Sequence, residues 1–341
     1  MSLRESVISE FLAQTNWASA ERSHLAGDAS LRKYQRLAAG KDGRIAVLMD
    51  ADPALGNDVR PFIKITDYLR SLSLSAPEIF AADEANGLLV IEDLGDALYA
   101  KVVSDQPELE IPLYEAATDV LLHLHKSTPP PLVPYNTNSM TDMAVLAFDW
   151  YQFGAEDEVD VNQREAFKAA FSNLLATKVG ARSVLIQRDY HAENLLWLPD
   201  RKGHARVGLL DYQDAQLGHP AYDLVSMLKD ARRDVPVAIE ETMIQRYIAH
   251  SKLDDQEFRD AYHILGLQRN LRILGVFARL SMHFGKPHYV DFIPRVWEFI
   301  ERDLKHKANE PVAELLNKAL PTPTPDILKR LKDKCATVPT L

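Results

Sequence analysis

Asp189, Asn194 and Asp211 are the residues whose types and spacing could do chemistry. Asp189 and Asn194 have the spacing D-x-x-x-x-N in a polar loop, "QRDYHAEN", set between the apolar runs "VLI" and "LLWL". Asp211 closes a third apolar run, "VGLL", beyond a turn at "PDRKG". The spacing alone carries little, since Asp52 and Asn57 in "DPALGN" share it and read as a turn. What distinguishes the later pair is its place at strand ends. A hairpin between Asn194 and Asp211 would return the chain and bring both side chains to one sheet edge. These residue types suit phosphoryl transfer. An aspartate orients an attacking hydroxyl and accepts its proton. Asparagine and aspartate oxygens are hard ligands that leave Mg²⁺ most of its octahedral shell for phosphates and water. The reading is therefore Asp189 as base, Asn194 and Asp211 as metal ligands, and ATP with Mg²⁺ as cofactors. The competing reading makes them loop residues bonded to their own backbone.

The neighbours divide into supports and contacts. Asp223, in "GHPAYDLVSML", falls in the first turn of a helix begun by Pro220, where its charge suits the dipole, and is read as tying down the loop. His191 either braces the loop or touches substrate, and Arg188 pairs with a carboxylate. Candidates for the acceptor are Tyr190, His191, Gln213 and Asp214, with Gln268, Arg269 and Arg272 on a later helix. Arginine can meet a carboxylate through paired hydrogen bonds, or cap a neighbouring helix end. The acidic stretch "GAEDEVDVN" would suit a polycationic acceptor, or be a solvated loop.

The elements that must position these groups fall into two parts of a 341-residue chain. "LRKYQRLAAGKDGRIAVLMDAD" reads as two strands joined by a turn, "VRPFIKITDYLRSL" as a helix, and "PEIFAADEANGLLVIEDLG" as a strand pair turning at Asn86-Gly87. Before them, Leu3, Val7, Ile8, Phe11 and Leu12 recur at helical spacing. Later segments are mostly helical, apart from one small sheet expected from "SVLIQRD", "NLLWLPD" and "ARVGLLD". The expected fold is α+β with two lobes. Residues 1–95 form a small antiparallel-sheet, nucleotide-binding lobe, and 96–341 a mainly helical lobe for catalysis and substrate, with ligand in the cleft between them. Acidic residues outnumber basic ones, 49 to 39, for a formal charge of -10, which argues against nucleic acid or an anionic membrane as partner. The apolar stretch "LGLQRNLRILGVFARLSMHF" is interrupted by four charged or amide residues before its midpoint and by Arg279 after it, so a buried helix is expected and no membrane span. A single cysteine and an amino terminus unlike a signal peptide fit the cytoplasm. Nothing in the chain signals an oligomeric state.

The run "RDYHAEN…LLDYQDAQLGHPAYDL" resembles the aminoglycoside phosphotransferase and choline kinase-like superfamily, built on a protein kinase-like fold. "GDASLRKYQRL", "AVLMDAD", "LLVIEDLG" and "LGLQRNLRILGVFARL" narrow it to bacterial kinases that phosphorylate the anomeric hydroxyl of N-acetylmuramate and N-acetylglucosamine in cell-wall recycling. The resemblance implies the same roles for Asp189, Asn194 and Asp211. It makes Glu92-Asp93-Leu94 a hinge whose backbone reads adenine, and Gly27-Asp28-Ala29-Ser30 a turn over the phosphates, with Asp28 and Ser30 among its contacts. Two departures stand out. Met49 occupies the strand position where the superfamily places a lysine on the phosphates, leaving Arg32, Lys33 and Arg36 as substitutes. Gln187 stands where such loops often begin with histidine. The leading expectation is a small-molecule kinase for an amino sugar. Alternatives are a kinase for an aminoglycoside, choline or a fructosamine, and a nucleotide-binding pseudokinase, for which Met49 is the best argument.

Overall fold

The computed structural model describes residues 3–25, 32–38, 43–180 and 183–339. Its strands run β1 (Glu21–Leu25), β2 (Lys33–Ala38), β3 (Ala46–Asp50), β4 (Ile79–Asp83), β5 (Leu88–Glu92), β6 (Val184–Ile186), β7 (Leu195–Trp197), β8 (Val207–Leu209) and β9 (Gln216–Gly218). The chain divides into two compact units, one of residues 1–120 and 192–215, the other of 121–191 and 216–341.

In the first unit the sheet is antiparallel, ordered β1-β2-β3-β5-β4. Helix α1 (Leu3–Ala13) covers it with Ile8, Phe11 and Leu12, spaced three and one apart so that all lie on one face. With Trp17 they pack on Leu37, Ala46, Leu48, Leu88 and Val90. β3 and β5 are therefore buried almost throughout, whereas β1 is an exposed edge. That polar edge strand, "ERSHL", has no alternating apolar signal and is held by its pairing to β2. Helix α2 (Arg60–Ser71) buries Phe62, Ile65 and Leu69 of the expected set Phe62, Ile65, Tyr68 and Leu69, with Tyr68 half-buried and Thr66 buried as well. α3 (Tyr99–Asp105) follows, and α4 (Glu110–Leu124) carries the chain out of this unit.

The expected small sheet does not form as one piece. β7 pairs with β8, and β6 pairs instead with β9. The reason is a contact distant in sequence. Immediately after β6 the backbone N–H groups of Gln187 and Arg188 donate to the Asp223 carboxylate, at 2.6 and 2.9 Å, and Arg188 adopts a left-handed φ of 73°. Those amides are lost to any strand ladder.

The second unit continues through α5 (Thr137–Ala144), α6 (Phe153–Glu156), α7 (Val161–Lys178), α8 (Ala221–Leu228), α9 (Val237–Ser251), α10 (Asp255–Met282), α11 (Ile293–Leu304), α12 (Glu310–Ala319) and α13 (Pro325–Asp333). α10, 28 residues long and capped by Asp254 accepting from the Glu257 N–H at 2.9 Å, is buried along most of its length, including Gln268, Arg269 and Asn270. Among the described residues no helix is long and apolar enough to cross a membrane. Next to the end of α8, Lys229 is fully buried and paired with Asp303, with Glu240 at 3.9 Å.

Two predictions follow from this packing. At Gly87 of the β4–β5 hairpin φ is 65°, and a Cβ would stand 2.1 Å from the Ala51 carbonyl oxygen. Gly87→Ala should destabilise the fold by about 2 kcal/mol, read from its urea midpoint. The second concerns pH. Burial pushes His125, bonded through Nδ1 to the Tyr247 hydroxyl at 2.7 Å, down to about 3, and His191 down to about 4. Burial pushes Asp223 up to about 7, against the lowering effect of its two backbone bonds. As pH falls from 6.5 toward 4, the unfolded chain protonates both histidines before the folded chain does, so stability is lost. Asp223 acts oppositely, because the folded chain takes its proton first. Asp223→Asn should therefore steepen the loss of stability between pH 7 and 4, and His191→Gln should make it shallower, each by up to roughly 1.4 kcal/mol per pH unit. Urea midpoints measured across that range read both slopes.

Candidate active site

The β7–β8 hairpin does what the spacing of Asn194 and Asp211 requires. Leu195 sits opposite Leu209, and the Leu210 N–H donates to the Asn194 carbonyl at 3.0 Å, so the two residues end the ladder side by side. Asp211 is exposed and left-handed, with φ 56°, a conformation that Asp tolerates better than most side chains. Gln213 donates from Nε2 to Asp211 Oδ1 at 2.6 Å, fixing the carboxylate. Between them Tyr212 is buried, stacked on Phe62 at 5.2 Å and bonded to the Thr66 hydroxyl at 2.7 Å. Asn194 and Asp211 put one amide and one carboxylate on adjacent strand ends, hard oxygen donors of the kind Mg²⁺ takes. A hard cation with two protein ligands keeps the remaining positions for phosphate and water.

The same unit bears on the missing lysine. Met49 is buried and lies directly across from Tyr34 in the β2–β3 register. Burial raises the Tyr34 hydroxyl above its ordinary value, the charge of Arg32 and a bond to its side chain work against this, and the negative charge of Asp211 adds to it. Tyr34 therefore lies in the fields of both Arg32 and Asp211. Of the other basic candidates on β2, Arg36 is already committed to Asp93 at 2.6 Å and Asp96 at 2.7 Å, and Lys33 is exposed. Glu92, at the end of β5, pairs with Arg201 at 2.5 Å, its own N–H donates to the Glu78 carbonyl, and Leu94 is buried. Asp28 and Ser30 lie outside the described residues.

Asp189, Tyr190, His191 and Arg269 belong to the second unit. Two contacts from α8 hold the residue before Asp189. Asp223 takes the Arg188 N–H, and the Ser226 hydroxyl donates to its carbonyl at 3.2 Å. The Arg188 guanidinium stands 5.4 Å from the centre of the Tyr135 ring. Burial alone would raise the Asp189 carboxyl, but the positive charges of Arg272 and Arg269, with smaller effects from His191 and Arg188, hold it below the usual carboxylate range. Asp189 is thus ionised at neutral pH. Tyr190 is buried, and His191 is kept neutral by burial. On α10, Gln268 donates to the Tyr135 hydroxyl at 3.1 Å and to the Met140 carbonyl at 2.9 Å. Tyr222 meets Tyr135 edge-on at 5.4 Å, and both rings lie near the charge of Arg272.

Reading the sequence alone missed Tyr34, Tyr135, Tyr222 and Asp230. Asp230 is buried, accepts the Arg232 N–H at 2.9 Å and acts electrostatically on His191 and Arg269. A period-two reading of β2 against β3 could have found Tyr34. Nothing in the local pattern of "KDARRD" singles out Asp230.

Residues 21–262 match the model of the phosphotransferase enzyme family. The N-acetylmuramate/N-acetylglucosamine kinase of Caulobacter vibrioides is 37% identical over 337 residues, which cover 88% of this chain and 92% of that protein. The N-acetylmuramate/N-acetylglucosamine kinase of Pseudomonas aeruginosa is 29% identical over 311 residues, covering 87% and 88%. Among solved structures, a choline/ethanolamine kinase family protein from Mesorhizobium loti superposes with a TM-score of 0.60 at 13% identity, over 97% of this chain and all of that one. With its small antiparallel sheet, its mainly helical remainder and these likenesses, the chain belongs to the phosphotransferase enzyme family, has the kinase-like fold of aminoglycoside phosphotransferases and choline kinases, and is an ATP-dependent kinase.

Proposed function

We propose that the protein transfers the γ-phosphoryl group of ATP, with Mg²⁺, to the anomeric hydroxyl of N-acetylmuramate or N-acetylglucosamine, in the cytoplasm and in the service of cell-wall recycling. The observation that carries the choice of acceptor is the charge around Asp189, where Arg272, Arg269 and Arg188 all act on one carboxylate. Such a surround suits a neutral or anionic sugar and repels a polycation, which tells against an aminoglycoside. The names of the relatives, which span nearly the whole chain, point to the same two sugars.

In this reading residues 1–95 hold the nucleotide and 96–341 carry catalysis and the acceptor. Asn194 and Asp211 hold Mg²⁺, with Gln213 steadying the Asp211 carboxylate. Glu92 and Leu94 offer backbone groups to the base. Asp28 and Ser30 belong to the turn over the phosphates. Arg32 supplies the positive charge that Met49 cannot, with Tyr34 holding it. Bound Mg²⁺ would draw off charge from the transferring phosphoryl group. Asp189 aligns the sugar hydroxyl and takes its proton as the new bond forms, a modest demand for a loose transition state and within reach of a carboxylate of low proton affinity. Tyr190, His191 and Arg269 contact the acceptor.

An ADP-release assay with Mg-ATP over N-acetylmuramate, N-acetylglucosamine, kanamycin and choline tests the acceptor. Turnover should occur with the sugars, and turnover confined to kanamycin or choline would overturn the reading. Asp189→Asn should lower kcat roughly 100- to 10,000-fold while ATP affinity, followed by thermal shift, stays within a few-fold. Retained transfer would mean the base lies elsewhere. Arg32→Ala should lower kcat/KM for ATP roughly 10- to 100-fold, and an unchanged value would return the search to the neighbouring strands.

A further inference from the structure

Three guanidinium groups, those of Arg272, Arg269 and Arg188, act on Asp189 in the second unit. Arg188 lies over the Tyr135 ring with only its Nε unsatisfied, and Arg272 stands in the fields of Tyr222, Asp189 and Tyr135. Arg269 differs. It is 4% exposed, yet its Nε and Nη1 atoms meet no hydrogen-bond acceptor among the described residues. A buried guanidinium with two unsatisfied N–H groups is costly, because each has given up water for nothing. Its planar fork is also the side-chain geometry that takes both oxygens of a carboxylate at once. Arg272 lies three residues further along α10 and so on the same face of the helix.

We propose that Arg269, aided by Arg272, receives the carboxylate of the acceptor, and is the residue that sets preference for a carboxylated amino sugar over a neutral one. The inference rests on the amino-sugar reading above and deepens it. N-acetylmuramate carries a lactyl ether whose carboxylate is ionised at neutral pH, whereas N-acetylglucosamine has a hydroxyl there. The carboxylated sugar can pair with one edge of the guanidinium, Nε with Nη2 or Nη1 with Nη2, and so meets one of the two orphaned donors, whereas the neutral sugar offers no carboxylate to either. Two further features fit. Asp189 and Asp230 both lie in the field of Arg269, and Arg272 adds a second positive charge beside it. Burial weakens the hold of Arg269 on its proton, and an anion brought alongside reverses that pressure.

The test is the selectivity ratio, kcat/KM for N-acetylmuramate over kcat/KM for N-acetylglucosamine. In the unaltered protein it should exceed one, and in Arg269→Gln it should fall roughly 10- to 100-fold, with partial recovery in Arg269→Lys, which keeps the charge but not the fork. A second measurement needs no variant: the carboxamide of N-acetylmuramate should be phosphorylated by the unaltered protein no better than the neutral sugar. A ratio unchanged in Arg269→Gln, or a carboxamide as good as the acid, overturns this assignment while leaving the sugar-kinase reading intact. Turnover of neither sugar by the unaltered protein overturns both.

Discussion

Two backbone amides, those of Gln187 and Arg188, have left the β-ladder and are held by the Asp223 carboxylate. The arrangement lets β6 stop at Ile186 and the chain turn through a left-handed residue directly before Asp189. A left-handed β-carbon-bearing residue costs about 1–2 kcal/mol. Bonds from two amides to one buried carboxyl group are of a size to offset it. The Ser226 hydroxyl takes the other side of the same residue, so one turn of α8 grips both ends of Arg188. The backbone leading into Asp189 is thus set by α8, which accounts for the full burial of Asp223.

Much of the site could be read in the residues because the signals are short-range. The alternation of apolar runs and the spacing from Asn194 to Asp211 force a hairpin, and the hairpin forms with the two residues at its open end. The helical periodicity of α1 and α2 and the Asn86-Gly87 turn are equally local. What escaped depends on contacts distant in sequence. β1 is polar and is a strand only because β2 offers it an edge. The expected three-stranded sheet split because a side chain 36 residues downstream captured the amides that would have continued it. Asp230 and the pair Tyr135 and Tyr222 gain their importance from α10 lying alongside, which no local pattern announces.

Charge is distributed differently in the two units. In the first, acidic and basic groups pair off near the surface, as Arg36 does with Asp93 and Asp96, and Glu92 with Arg201. In the second, ions are taken inside. Lys229 lies buried between Asp303 and Glu240 and over the Tyr262 ring, and Arg302 also reaches Glu240. Breaking such a buried network by removing one partner is far more damaging than losing a surface pair. The segment from Lys229 to Arg232 passes directly from that network to the groups acting on His191 and Arg269.

The methionine on the third strand also has a bearing on how such proteins are recognised and engineered. From Ala46 to Met49 that strand is sealed on both faces, so position 49 has been given over to the oily interior. Grafting the customary lysine there would drive an ammonium group into hydrocarbon beside a tyrosine, and would more readily unfold the sheet than improve the enzyme. A survey that sorted active from inactive relatives by that one lysine would file this chain with the dead.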